Sequence, residues 1–299
     1  MDTPTRGRRA VLISLFAGVL RTGSSALLAQ APPPPATTTA GVTAPFAFVQ
    51  LCDPQLGMGG YEQDTAALER AVTLINGLDS DFTVICGDLV NQFDERSVAD
   101  FRRLRAGLRQ PVYCAPGNHD VGIPPTAASL RAYREGIGPD FLAFEHKGLT
   151  VAIVDTCLWA KADSGGEAAR QDGWFRDTLN AARQKGSPVV VVGHHPPFVK
   201  TPDEADAYFN LPLAKRQEVL DLLAAGGVAA VLAGHTHTTV MLEFKGIPLV
   251  MGEGTSVNFD KRPLGLRLWR VTPPATLRHE FVPLPEPAAP APAMAPAKP

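Results

Sequence analysis

Charge of either sign is in short supply in this 299-residue chain: 28 Lys and Arg stand against 30 Asp and Glu, a net charge of −2. Such a balance advertises no broad basic surface for nucleic acid or an anionic membrane, so nucleic acid is not expected as a stable partner. Cysteine is scarce too. Three of the four, Cys52, Cys86 and Cys114, sit at or near the ends of apolar runs, just before polar motifs. With Cys157 they could make two disulfides, but strand-end positions fit small buried thiols, and a chain this long needs no staples. None has a base at a spacing that would make it a nucleophile. No apolar run reaches the roughly 20 residues a membrane-spanning helix needs, and no internal repeat is present.

What remains is an ordinary globular mixture, 45% apolar and 19% charged. Its ends differ from its middle. Residues 1–31 carry Arg6, Arg8 and Arg9, then the apolar run Ala10 to Leu20, then Ala29-Gln30-Ala31. That is the layout of an export signal, so a periplasmic or secreted protein is expected, with no transmembrane span in the mature chain. Arg8-Arg9 resembles a twin-arginine signal; a Sec signal or an uncleaved anchor is the alternative. Residues 32–44 read as a Pro/Thr-rich linker, and 283–299 as a disordered Ala/Pro-rich tail. The folded part is therefore 45–282.

Within it, apolar runs alternate with helical patterns. Strands are expected at 46–52, 81–86, 111–115, 149–155, 187–193 and 228–234, with helices at 62–77, 95–108, 168–185 and 213–225. On the first helix Ala66, Leu68, Val72 and Ile75 mark the apolar face. Trp159 and Trp174 read as core. After residue 234 short strands follow without long helices, which implies a second sheet. The sum is an α/β fold, a β-sandwich flanked by helices.

Polar residues stand where the strands end: Asp53-Pro54-Gln55, Gly87-Asp88-Leu89-Val90-Asn91, Gly117-Asn118-His119-Asp120, His194-His195-Pro196 and His235-Thr236-His237. Loops beyond the carboxyl ends of strands converge on one crevice. Glycines 87, 117, 193 and 234 are expected to let the chain turn sharply there. Carboxylate and amide oxygens with imidazoles suit Mn, Fe, Zn or similar divalent ions, and a pair of such ions suits in-line displacement at phosphorus.

GDLVN, GNHD, GHH and GHTH, in this order, resemble the calcineurin-like metallophosphoesterase family from about residue 46 to 260. The resemblance implies a four-layer α/β/β/α sandwich and a phosphoester substrate, cleaved by a hydroxide bridging two divalent metal ions. It also implies roles. Asp88 is the bridging carboxylate; Asp53 and His237 bind the first metal; Asn118, His194 and His235 bind the second. His119 protonates the leaving alkoxide, Asp120 orients His119, and Asn91 supports the bridging loop. One departure is visible: the family's first motif is usually Asp-x-His, and here Gln55 stands in place of the His. Either its amide oxygen binds the first metal, or it faces substrate and water completes the shell; that metal should be held more weakly. Asp-Pro-Gln, with Tyr208-Phe209-Asn210-Leu211, resembles a subgroup that includes a serine/threonine phosphatase. Tyr208 is then a substrate wall or a packed loop residue, and His195 a support or a phosphate contact. Lys200 and Lys215 are candidates for charge near a monoester. The rivals are a phosphodiesterase acting on cyclic nucleotides or other diesters, and a metal-binding envelope protein without turnover. Oligomeric state is not legible.

Overall fold

The computed structural model describes residues 41–161 and 165–287. The expected signal at 1–31, linker residues 32–40 and tail residues 288–299 lie outside the described residues. Eleven strands and seven helices follow in chain order: β1 (Phe46–Leu51), α1 (Tyr61–Asn76), β2 (Phe82–Cys86), α2 (Glu95–Arg105), β3 (Val112–Ala115), α3 (Asn118–Val121), α4 (Ala127–Gly136), β4 (Leu142–His146), β5 (Leu149–Ile153), α5 (Cys157–Ala160), α6 (Glu167–Lys185), β6 (Val189–Val192), α7 (Leu213–Ala225), β7 (Val228–Ala233), β8 (Val240–Phe244), β9 (Ile247–Met251), β10 (Gly265–Thr272) and β11 (Thr276–Pro283).

The strands form two sheets, ordered β11-β10-β1-β2-β3 and β4-β5-β6-β7-β9-β8. β1, β2 and β3 run parallel, as do β5, β6, β7 and β9, while β10, β11, β4 and β8 run antiparallel to their neighbours. Because each sheet is covered on both faces, its central strands are mostly apolar runs rather than strict alternations. Along β1, Ala47, Val49 and Leu51 pack under α1, α2 and α4, whereas Phe46 and Phe48 face the second sheet. Phe48 lies between Phe82 (4.9 Å) and Trp269 (5.9 Å) in the inter-sheet core. A third core holds Val189, Val191 and Val231 against Phe175, Leu179, Val219 and Leu223 of α6 and α7. Helix, sheet, sheet, helix is the expected four-layer order. Full burial of each such apolar side chain is worth about 1.5–3 kcal/mol. Gln50 is a polar exception between the sheets. Its Nε2 donates to Val250 O (3.1 Å) and Ala233 O (3.3 Å), and its Oε1 accepts from Trp269 Nε1 (2.9 Å).

Several expectations need correction. The buried face of α1 is Asp64, Ala67, Leu68, Ala71 and Ile75, one step round from the expected face, with Ala66 and Val72 at its margin. Asp64 is buried because its carboxylate accepts N–H bonds from Gly57, Gly59 and Gly60, closing the loop that enters the helix. The folded unit also begins earlier and ends later than 45–282. Val42 is buried and its N–H donates to Pro274 O, while Pro283 closes β11 and Leu284 is buried with its N–H on Leu264 O. Strands β4 and β11 are edge strands that alternate in burial, so no apolar run announced them. All four cysteines are buried free thiols, and Trp159 and Phe175 are buried in the core with Trp174 packed against it. Among the described residues no helix is long and apolar enough to cross a membrane.

Candidate metal centre

Parallel strands β1, β2, β3, β6, β7 and β9 end at one pole of the sandwich, so the loops that follow them meet there. Their backbone is unusual. Eight non-glycine residues among those described have left-handed φ, and five of them are candidate donors at this pole: Asp53 (48°), Gln55 (31°), Asp88 (47°), His235 (67°) and His237 (46°). An L-residue in that region costs on the order of 1–2 kcal/mol, a cost maintained by surrounding structure and typical of functional sites. The glycines act in two ways. Gly87 does turn through a left-handed φ of 81°. Gly117 instead permits close approach, since a Cβ there would lie 2.1 Å from the Asp88 amide nitrogen and from its Oδ1.

The side chains converge into two overlapping sets, Asp53–Asp88–His237 and Asp88–His194–His235, all buried, with ligand-capable atoms within 4.8 Å of one another in each set. Asp88 belongs to both. His194 Nε2 lies 3.2 Å from Asp88 Oδ2 and 3.1 Å from Asn118 Oδ1, and His237 Nε2 lies 3.9 Å from Asp53 Oδ1. Each imidazole is held by a backbone carbonyl on its other nitrogen. His194 Nδ1 donates to Cys86 O (2.8 Å), His235 Nε2 to Tyr208 O (2.9 Å) and His237 Nδ1 to Val257 O (2.9 Å). One unshared nitrogen per ring is thus left for the pocket, which is how metal-ligating histidines are oriented.

The electrostatics favour a cation. Burial opposes charge on His194, yet the Asp88 and Asp53 carboxylates push its imidazole up to about 10. Burial acts to raise the Asp88 carboxyl, but His194 and the His119 N–H, which donates to Oδ1 at 2.9 Å, hold it below the usual carboxylate range. Burial lowers His235 to about 3 and pushes Asp53 above its ordinary value despite His194 and His237. Buried carboxylates with imidazoles whose lone pairs point inward fit divalent transition ions by donor chemistry.

Gln55 is buried beside this set. Its Nε2 donates to Asn91 Oδ1 at 3.3 Å, and its Oε1 has no hydrogen-bond partner among the described residues. An orphaned buried amide oxygen is costly, by about 1–3 kcal/mol, unless something completes it. Asn91 does more than support the loop, because its backbone O accepts the proton of His119 Nδ1 at 2.9 Å. The half-buried His119 ring therefore keeps Nε2 free.

Asp120 does not orient His119. Its carboxylate accepts from the N–H groups of Gly117 (2.8 Å), Leu89 (3.0 Å) and Val90 (3.3 Å), tying the Asp88 loop to the Asn118 loop. Burial, then the neighbouring Asp88, push this carboxyl up to about 8 against those donors. Sequence adjacency misleads here because consecutive residues on a helical turn point to different sides. Lys215 is also elsewhere, bonded to Asp172 (2.6 Å) and Glu218 (3.1 Å). Tyr208 is at the site: its hydroxyl accepts from Asn118 Nδ2 (3.3 Å) and its ring lies 4.8 Å from His235. His195 is fully buried with its ring 4.2 Å from His235 and its Nδ1 3.2 Å from Thr156 Oγ1.

Three residues escaped the sequence reading. Thr156 Oγ1 accepts the N–H groups of His194 and His195; Ser256 donates through Oγ to Asp53 O; Phe259 stacks on His237 at 4.8 Å. The available signal was position: Asp155-Thr156 follows β5 and Gly252 to Asp260 follows β9, strands parallel to those whose loops were read.

A buried, strained set of carboxylates and oriented imidazoles on a four-layer sandwich defines a metal-dependent hydrolase. The chain belongs to the calcineurin-like phosphoesterase family, whose model matches residues 48–239. It is 31% identical over 254 residues to the serine/threonine-protein phosphatase CPPED1 of Rattus norvegicus, covering 77% of this chain and 81% of the relative. It is 28% identical over 197 residues to a cAMP/cGMP dual specificity phosphodiesterase of Mycobacterium tuberculosis, covering 62% of this chain and 57% of that one. Among solved structures, a dimetal phosphatase from Danio rerio shares the fold with a TM-score of 0.60 at 14% identity, covering 82% of this chain and all of the other.

Proposed function

We propose that the protein is an exported phosphomonoesterase using two divalent metal ions. The observation that carries this reading is that Asp88 belongs to both donor sets, as one carboxylate shared by two neighbouring cations must. Asp53, Gln55 and His237 would hold one ion; Asn118, His194 and His235 the other. Such ions supply Lewis acidity toward the phosphoryl oxygens and make water nucleophilic near neutral pH. Mn, Fe and Zn fit the donors best.

The chain's own groups do the rest. Asn91 O holds the Nδ1–H of His119 and leaves Nε2 unshared, so the imidazolium form gives its Nε2 proton to the departing alkoxide and returns to the Nδ1–H tautomer. Tyr208 holds Asn118 by its amide nitrogen, turning the amide oxygen toward His194 and the pocket. Asp120 clamps the two loops through backbone N–H groups. No serine, threonine or cysteine nucleophile is called for, and no phosphoenzyme accumulates. The serine/threonine phosphatase relatives support monoester hydrolysis. Export rests on Arg6, Arg8, Arg9, the apolar run 10–20 and Ala29-Gln30-Ala31. Diester hydrolysis is the second reading, favoured by the mycobacterial relative and by the pairing of Lys215 away from the site.

Metal analysis of the purified protein, alongside p-nitrophenyl phosphate and bis(p-nitrophenyl) phosphate with Mn, Fe, Zn or Mg added back, tests both readings. The expected result is about two ions per chain and faster release from the monoester. Faster release from the diester replaces the first reading by the second, and no bound metal at all sinks both.

A further inference from the structure

Five large apolar side chains stand exposed among the described residues: Met58, Ile123, Tyr208, Met241 and Phe259. Four of them are on the loops that build the metal centre. Met58 donates its N–H to Gln55 O, one turn beyond the Asp53 loop. Ile123 follows α3, which carries Asn118 and His119. Tyr208 is 62% exposed, with its ring 4.8 Å from His235 and its hydroxyl on Asn118. Phe259 is 51% exposed, stacked on His237 at 4.8 Å and 29°, and its N–H donates to His237 O at 2.6 Å. Exposed apolar side chains scattered singly are normal; two exposed rings that both rest on imidazoles of one buried donor set are not.

The two aromatic rings take opposite members of the His-Thr-His motif. His237 belongs to the Asp53 set and His235 to the His194 set, so each half of the centre carries one ring at its margin. In both cases one side of the ring rests on a ligand imidazole while much of the rest stays open to solvent. Rings held in this way are pre-oriented, and an incoming aromatic group gains offset or edge-to-face contact with them at little cost in side-chain entropy. A polar alcohol gains nothing from this rim.

We infer that the rim made by the Tyr208 and Phe259 rings selects phosphomonoesters whose organic group is aromatic. This rests on the phosphomonoesterase reading and goes further by naming the leaving-group class. Binding occurs at the organic group, so the preference appears mainly in KM.

The probes are 3-phenylpropyl phosphate, 3-cyclohexylpropyl phosphate and glycerol 3-phosphate. All are primary alkyl monoesters, so the chemistry at phosphorus is nearly matched. The expected result is a kcat/KM for the phenyl ester roughly tenfold above that for glycerol 3-phosphate, the ratio given by ~1.4 kcal/mol of differential binding. The ratio should shrink in Phe259→Ala and in Tyr208→Ala, and should approach one in the double variant. Equal kcat/KM for phenyl and glycerol esters in the parent would overturn the inference. So would a cyclohexyl ester handled as well as the phenyl one, or a preference that survives in the double variant. If none of the esters releases phosphate in a metal-dependent way, the phosphomonoesterase reading falls with it; equal release from all three removes only the inference.

Discussion

Carboxylate and imidazole meet at both poles of the sandwich, and they behave differently. At the amino-terminal ends of the strands, Asp81 Oδ2 accepts from His146 Nε2 and Lys147 Nζ, both at 2.6 Å. Burial works to raise that carboxyl, but the two donors win and it lies below its ordinary range. This carboxylate has its partners within the protein, and the left-handed φ values of Lys147 and Lys245 belong to the tight β4–β5 and β8–β9 hairpins. At the carboxyl-terminal pole two carboxylates are buried without a Lys or Arg in the donor sets, five of the candidate donors themselves have left-handed φ, and among the described residues Gln55 Oε1 and Asp155 Oδ2 lack partners. An ion pair satisfies itself. A set of lone pairs aimed inward and unshared calls for a cation from outside.

The sharpest way to break this contrast is Asp88→Ala. Removing the shared carboxylate should eliminate metal-dependent phosphate release, by on the order of 10³-fold or more in kcat, and lower bound metal on elemental analysis. Equal residual turnover would place the activity outside this pocket.

Asp155→Asn addresses the buried charge. Burial, then Asp140, raise the Asp155 carboxyl to about 7. With its folded pKa above the unfolded value near 3.9, the folded state holds the proton more tightly. Its favourable contribution is therefore full at low pH and lost as pH rises from about 4 to 7, a cost on the order of 4 kcal/mol. Denaturant melts of parent and variant at pH 5 and pH 8 should diverge, the variant losing less on going to pH 8. Identical pH dependence would show the charge is compensated.

Gln55→His restores an imidazole at the first motif. If Gln55 Oε1 faces the first ion, the variant should retain that ion roughly tenfold more tightly against a chelator. A smaller effect is expected at the other pole. Asp81→Asn breaks a pair whose side chains are each a quarter or more exposed, so unfolding free energy should drop by less than about 1 kcal/mol. Because the folded pKa of Asp81 is lowered, this contribution is present above the unfolded pKa and disappears as pH falls through the folded one. Phosphate release should not change.

Much of the site was legible before the fold. Asp53, Asp88, Asn118, His194, His235 and His237 each stand at or within a few residues of the end of an apolar run, and β1, β2, β6 and β7 are central strands whose two buried faces make such runs continuous, while β3, at a sheet edge, is short and only partly buried. Strands β4 and β11 lacked that signal because one face is exposed. Asp120 was misread because its partners, Leu89 and Val90, lie 31 and 30 residues away. Thr156 and Ser256 went unread for the same reason: a hydrogen bond to a backbone group across the fold leaves no local pattern.

The linear order of residues thus determined which donors could gather, since strand periodicity sends each motif to the same end of a parallel sheet. Only the tertiary structure decided which nitrogen of each imidazole is free, that Asn91 rather than Asp120 orients His119, and that Tyr208 and Phe259 stand at the margin. Those outcomes depend on carbonyls and rings brought within hydrogen-bonding or stacking distance from remote parts of the chain, and periodicity carries no record of such distances.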